Sequence, residues 1–324
     1  MKHITQFDPG SAVDWAAVAA VWNGALGDRL AISPAFVQFN TQPIPGYAKS
    51  GWLCWADEDV VAFALASASG DVGWIDGIGV LPGWQGQGLG SALMARAEGW
   101  LAEQGCASVQ LGGGVPPFVP GLPLELDQAE FFHKRGYRPS YGDGKVWDVA
   151  RDLADYPQGV TARMPVLTPG CRLALATPGD AEALRTFLAR EFPDRWLLEY
   201  ELFLAARGEM SGYLLLWREE EGGPAWVDGF CRLRWEGCGE PLDRFYHHGL
   251  HRPWGQLGPI GVGQASRGQG LGGALLHAGL EQLQTLGVRG CVIDWTDLVT
   301  FYAKFGFTPW RGYQMLAARR PTEE

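Results

Sequence analysis

Two glycine clusters hold most of the chemistry legible in this chain. Gln85-Gly86-Gln87-Gly88-Leu89-Gly90 follows an apolar run ending at Val80, and Arg267-Gly268-Gln269-Gly270-Leu271-Gly272-Gly273 follows Ile260-Gly261-Val262. Closely spaced glycines between a strand and a helix permit a tight turn. They also let an anion reach backbone N–H groups with no Cβ in the way, at the positive end of the helix. Arg267 adds a permanent charge where the first cluster has neutral Gln85, so the second is expected to hold a pyrophosphate better. Neither cluster has the lysine of a nucleoside-triphosphate loop. Gly268, Gly270 and Gly273 do satisfy the dinucleotide pattern G-x-G-x-x-G. That match lies about 100 residues into its half of the chain instead of opening it, and Ser91 stands where the first copy needs its third glycine.

The elements that position these clusters repeat. Ile78-Gly79-Val80 and its cluster recur at Ile260-Gly261-Val262, 182 residues on, while Phe131-Phe132-His133-Lys134-Arg135-Gly136-Tyr137 recurs as Phe301-Tyr302-Ala303-Lys304-Phe305-Gly306-Phe307, 170 residues on. The 12-residue difference matches an extra stretch, residues 112–123, whose glycines and prolines predict a loop, and its end, residues 118–123, reads as either a lid or a surface excursion. Each half opens with a short strand, a turn (Asp8-Pro9-Gly10-Ser11 or Thr177-Pro178-Gly179-Asp180) and an apolar-periodic helix. Strands are expected at 52–56, 60–66 and 71–80, and again at 212–218 and 225–235. A helix after each glycine cluster should bury Leu89, Leu93, Ala97 and Trp100, or Leu276, Leu280 and Leu283. Pro157, Gly159, Pro165, Pro169 and Gly170 mark a seam. The expected architecture is α/β with mixed sheets, in two related domains, 1–158 and 159–324.

Composition narrows the function classes. With 324 residues, 47% hydrophobic and 19% charged, the chain can bury a core and is too apolar for disorder. Its six cysteines form no C-x-x-C pair and read as packed, reduced thiols. A net charge of −10 without a basic run argues against nucleic-acid binding. The absence of a long apolar run or a leader-like start points to no membrane partner and a cytoplasmic location. An acidic surface suits a cationic amine, although it also serves solubility. Oligomeric state is left open.

The motifs together carry a resemblance. Gln85-x-x-Gly88-x-Gly90 and Arg267-x-x-Gly270-x-Gly272, each five residues beyond a strand valine, resemble the [RQ]-x-x-G-x-[GA] pyrophosphate loop of the GNAT acetyltransferase superfamily. Phe301-Tyr302-Ala303-Lys304-Phe305-Gly306-Phe307 is similar to its second signature, and both occur twice at family spacing, over nearly the whole chain. The resemblance implies acetyl-CoA as co-substrate, its pyrophosphate on Arg267 to Gly273 and its pantetheine arm along Ile260, Gly261 and Val262. Direct attack of a small molecule's primary amine on the thioester follows, with Tyr302 donating to the leaving thiolate.

In the first half Phe132 replaces that tyrosine. A carboxylate often used as base is present there as Asp76, whereas the second half has Gly258. The second domain is therefore expected to be catalytic and the first a degenerate copy. Asp294 leads the candidate bases, followed by Asp297, Asp228 and the histidines His247, His248 and His251; no metal site is expected. The rival reading is a non-catalytic acyl-CoA-binding or sensing protein, with a nicotinamide-dependent oxidoreductase a distant third.

Overall fold

The structure, a computed structural model, describes residues 2–162, 167–239 and 249–319. His247 and His248 lie outside the described residues. In chain order the elements are β1 (Lys2–Gln6), α1 (Ala12–Leu26), α2 (Pro34–Thr41), β2 (Ala48–Ala56), β3 (Asp59–Ser69), β4 (Val72–Val80), α3 (Leu89–Glu103), β5 (Ser108–Leu111), β6 (Leu122–Pro123), α4 (Ala129–His133), β7 (Arg138–Pro139) and β8 (Lys145–Asp152). They continue as β9 (Cys171–Leu175), α5 (Ala181–Glu191), α6 (Arg195–Ala205), β10 (Tyr213–Arg218), β11 (Trp226–Trp235), β12 (Trp254–Val262), α7 (Leu271–Thr285), β13 (Gly290–Thr296), α8 (Val299–Ala303), β14 (Thr308–Gln314) and β15 (Leu316–Arg319).

Among the described residues the strands form a seven-stranded sheet, β1-β2-β3-β4-β5-β15-β7, and an eight-stranded sheet, β6-β14-β8-β13-β12-β11-β10-β9. The chain divides into two compact units, one built on residues 2–147 and 311–319, the other on 148–239 and 250–310. Each is discontinuous in sequence. The last strand of the chain, β15, completes the first unit's sheet, so no single cut in sequence separates the two units.

From β1 to β4 and from β9 to β12 consecutive strands pair antiparallel, whereas β4–β5 and β12–β13 are parallel. A parallel pair needs a crossover, and each is bridged by the helix that follows a glycine cluster, α3 or α7. The inward stripes of those helices bury fully at Leu93, Ala97 and Leu101 in α3 and at Leu276, Leu280 and Leu283 in α7. Leu89 and Trp100, also expected on the stripe, are only half-buried, and Trp100 packs edge-on against Trp52. Central strands such as β3 are covered on both faces and so read as apolar runs rather than alternations. The turns open as expected: Ser11 accepts from Asp14 N–H at the start of α1, and the Asp180 carboxylate accepts from Thr177 N–H before α5.

The extra stretch 112–123 is neither a lid nor a surface excursion. Most of it is buried, Phe118 packs against Trp22 and Phe36, and its end forms β6, which pairs Leu122 with Gln314 and Pro123 with Tyr313. Its glycines serve close packing: a Cβ on Gly121 would sit 2.7 Å from the Gln314 carbonyl oxygen.

Candidate functional site

In the second unit β12 and β13 pair at Trp254, Gly255 and Gln256, and then part. The remainder of β12 stays paired on its other side, where Ile260 faces Cys231, Gly261 faces Phe230 and Val262 faces Gly229. The edge of β12 beyond Gln256 therefore leaves its pairing with β13. Backbone groups on such an edge are a ready partner for an extended ligand that brings amides of its own. Gly258, with φ +140°, lies where the strands part, in a conformation that side chains rarely adopt. A Cβ there would lie 3.9 Å from Asp294 Oδ1, so the Asp294 carboxylate faces β12 across the opening.

Beyond Val262 the chain makes one turn of 3₁₀ helix over Gln264–Ser266 and enters α7 through Gly268 and Gly270, with φ of +79° and +80°. No side chain caps α7. Its first-turn N–H groups have no helical acceptor, and they point outward at the positive end of the helix beside exposed Arg267. The turn is held from beneath by contacts the sequence reading did not anticipate. Ser266 Oγ donates to Asp228 Oδ2 at 2.5 Å, Arg218 Nη1 donates to Ser266 Oγ at 2.7 Å, and Gly263 N–H donates to Asp228 O at 2.8 Å. Glu191 accepts from Gln264 N–H at 2.8 Å, and its pKa is lowered chiefly by the side chain of Arg190. Asp228, one of the candidate bases, is 5% exposed and committed to this support.

Asp294 belongs to β13 rather than to the connection after it, because the strand runs on to Thr296. Next to it Trp295 adopts φ +51°, a strained conformation for a bulky residue. Its backbone N–H donates to the fully buried Asp148 at 3.1 Å, and the Arg195 guanidinium stacks on its ring at 4.5 Å. Tyr302 follows on α8, 5% exposed. Burial, with the nearby Cys231, Asp294 and Asp297 adding to it, raises the Tyr302 phenol above its ordinary pKa, so it keeps its proton across the physiological range. Such a phenol can donate to a developing anion. Burial also raises the Cys291 thiol to about 12 and the Cys231 thiol well above its ordinary value, so these sulfurs pack as apolar groups and do not act as nucleophiles.

The remaining candidates are dispersed. His251 is exposed and bonds Asp152 at 2.5 Å, where Arg289 also binds that carboxylate. Asp297 is exposed at the start of the connection to α8. Among the described residues no group of three histidine, cysteine, aspartate or glutamate side chains is placed to hold a metal ion.

The first unit repeats the frame with different side chains. β4 pairs with β5 up to Ile75↔Leu111 and then parts from it, and Asp76 is the first residue beyond the last pair. Gly86 and Gly88 have φ of +71° and +82° ahead of α3, and Gln85 turns back to donate to Val80 O at 3.0 Å. Gly90 fits where a Cβ would touch Phe131 at 3.4 Å. Phe132 is buried between Phe131 and Tyr137, and the Tyr137 hydroxyl is taken up by Glu98 at 2.9 Å. This loop also has cations that comparison of Gln85 with Arg267 misses. Lys2 donates to Gln87 at 2.5 Å and stands over Trp84, and Arg135 reaches Ser91 in the first turn of α3. Lys2 is more than 80 residues away in sequence, which hides the contact from any local motif.

Comparison with known proteins agrees with this geometry. The model of the acetyltransferase (GNAT) family matches residues 27–116 and 181–307, one region in each half. A mycothiol acetyltransferase of Pseudarthrobacter chlorophenolicus is 30% identical over 162 residues, 46% of this chain and 49% of that protein. The aligned part thus spans about half the length of that relative. A mycothiol acetyltransferase of Catenulispora acidiphila is 29% identical over 244 residues, 71% of this chain and 67% of its own length. Among solved structures, a GCN5-related glucosamine N-acetyltransferase region of a fungal multi-domain β-N-acetylglucosaminidase superposes with a TM-score of 0.83 at 24% identity, covering 98% of this chain and 38% of that one. At that identity the likeness speaks to the fold alone. Two family regions, each with a parting strand pair that runs into a glycine-rich helix start, make this chain a member of the acetyltransferase (GNAT) family.

Proposed function

We propose that the chain transfers an acetyl group from acetyl-CoA to a primary amine of a small molecule, and that the second unit does so. The carrying observation is the open edge of β12 leading directly into uncapped α7 with Arg267 beside it. The pyrophosphate would lie on the N–H groups of Gly268, Gln269, Gly270, Leu271, Gly272 and Gly273, and the pantetheine arm along Ile260, Gly261 and Val262. The open backbone and glycine conformations fit such a guest. When bound, acetyl-CoA supplies the activated acyl carbon. In this reading Asp294, facing the gap at Gly258, takes a proton from the substrate ammonium directly or through water so that the free amine can attack the acyl carbon, and Tyr302 hands its phenolic proton to the departing sulfur.

The first unit reads as a related copy without the leaving-group acid, since Phe132 has no proton to give and Tyr137 is engaged by Glu98. We assign the repeat boundary to the segment near residues 158–159. The name of a further relative, an aminoglycoside N(6′)-acetyltransferase of Stenotrophomonas maltophilia that is 37% identical over 62 residues, favours amino sugars as the first acceptors to try.

The test is release of free coenzyme A with a panel of amines, in wild type and Tyr302→Phe. Loss of about 10²-fold or more in turnover with acetyl-CoA affinity kept supports the assignment. Unchanged turnover in Tyr302→Phe would remove Tyr302 from it, and binding without turnover on any amine would favour the acyl-CoA-binding reading.

A further inference from the structure

The first unit contains a polar cavity that acetyl transfer by the second does not use. It has a volume of about 100 Å³ and lies between the sheet and α2, with exposed Gln6 and Pro9 at its rim and Phe118 in its wall. Lys49, Asp76 and Asn40 are among the residues that line it, and Ser67 lies behind the first two. Lys49 on β2 pairs in register with Ser67 on β3, and Ser67 Oγ donates to Asp76 Oδ1 on β4 at 3.0 Å, which places a cation, a hydroxyl and a carboxylate in one row across three strands. The backbones of β2 and β4 are about 10 Å apart at two strand spacings. Above the row Asn40, on α2, is 3% exposed; its Nδ2 donates to Phe36 O at 2.8 Å and its Oδ1 is buried with no hydrogen-bond donor.

An amide oxygen left in this state has lost its water without gaining a donor, so the site calls for a donor that the protein does not supply. Lys49 uses one of its three N–H groups on Asn40 O at 2.8 Å. Burial lowers its pKa to about 8 while the charge of Asp76 partly opposes the shift, so at neutral pH the cavity lining includes both a cation and a carboxylate. A lone cation or a lone anion entering it would meet one attractive group and one repulsive group. A molecule carrying both charges satisfies each group at once. A dry cavity of about 150 Å³ accommodates benzene, so this smaller one suits roughly five heavy atoms, the number in an α-amino-acid head group.

We propose that this cavity binds a small zwitterion through an α-amino-acid head group, its ammonium donating to Asn40 Oδ1 and the Asp76 carboxylate and its carboxylate accepting from Lys49 Nζ. The side chain of the ligand leaves past Gln6 and Pro9. The binding does not depend on the transfer reaction assigned to the second unit.

The test follows backbone amide resonances of the full chain during titration with alanine, with ethanolamine (ammonium only) and with propionate (carboxylate only). Alanine is expected to shift amides around Lys49, Asn40 and Asp76 saturably, with both single-charge probes weaker by about tenfold or more. Lys49→Met should weaken alanine by a similar factor. Should that variant fail to fold, Asn40→Leu, which fills the cavity and removes its acceptor, carries the same expectation. Arg267→Glu should bind alanine as wild type does, so that a failure of the acetyl-CoA assignment is read separately. No localised shift with alanine, or equal binding of ethanolamine or propionate, overturns the proposal; the cavity is then a water site or reads a single charge.

Discussion

Asp228→Asn tests whether the turn ahead of α7 is held from beneath. In the wild type, Asp228 is 5% exposed, accepts from Ser266 Oγ at 2.5 Å and lies 3.5 Å from Arg218 Nη1, which also bonds Ser266. Asparagine preserves the shape and removes the charge. Hydrogen bonds to a charged group contribute about 1.5–3 kcal/mol, and the 32% exposure of the Arg218 side chain lets water offset part of the loss. An expected cost of about 2 kcal/mol lowers the Tm of a unit of this size by about 4–8 °C. Because Ser266 and Gly263 are both anchored to Asp228, one through its carboxylate and the other through its backbone, acetyl-CoA affinity should fall as well. Calorimetry and acetyl-CoA titration measure the two effects, and Ser266→Ala, which removes the bridging hydroxyl and leaves the carboxylate, should cost about 1 kcal/mol. A Tm for Asp228→Asn within about a degree of wild type, with unchanged affinity, would refute the supporting role.

Three further outcomes are expected. Gly268→Ala meets no atom within 4 Å but is strained at φ +79°, so it should destabilise by about 1 kcal/mol and weaken acetyl-CoA, whereas Gly272→Ala, also in open space and in the first turn of α7, should stabilise by up to about 1 kcal/mol; thermal melts decide both. Asp294→Asn should lower kcat and abolish the acidic limb of the pH–rate profile with KM for acetyl-CoA unchanged, and an unchanged profile would move the base elsewhere. The Arg289 guanidinium beside Asp152 holds that carboxyl well below the usual carboxylate range. Its stabilising contribution is therefore complete above the unfolded pKa near 4 and disappears as pH falls through the lower folded value. Arg289→Gln should accordingly be less stable than wild type at pH 7, with the gap closing in strong acid; a gap independent of pH would show that the pair contributes through packing.

What could be read in the sequence follows the range of each interaction. The glycine clusters, the strands ending at Val80 and Val262, and the stripes of α3 and α7 are local patterns, and they appear where the spacing places them. The start of β2 was hidden because Ala48, Lys49, Ser50 and Gly51 lack strand-forming side chains and owe their conformation to pairing with Leu65 to Ala68. The stretch 112–123 has loop composition yet is buried, since a glycine-rich segment packs closely where another strand approaches it. Membership of β15 in the first sheet depends on pairing with residues about 200 positions earlier, which no window detects. The same holds at the site: Asp228 reads locally as a possible base, and only its contact with Ser266, 38 residues away, shows that it supports a turn.

The central claim is that the turn from Arg267 to Gly273 holds acetyl-CoA. Isothermal titration of acetyl-CoA into wild type, Arg267→Glu and Gln85→Glu tests it most directly. The account predicts that Arg267→Glu removes a site or weakens it by about tenfold or more, as reversing a charge a few ångströms from a pyrophosphate requires, and that Gln85→Glu leaves that site intact. Undiminished binding in Arg267→Glu, with the loss appearing in Gln85→Glu instead, would contradict it and move the acetyl donor to the first unit.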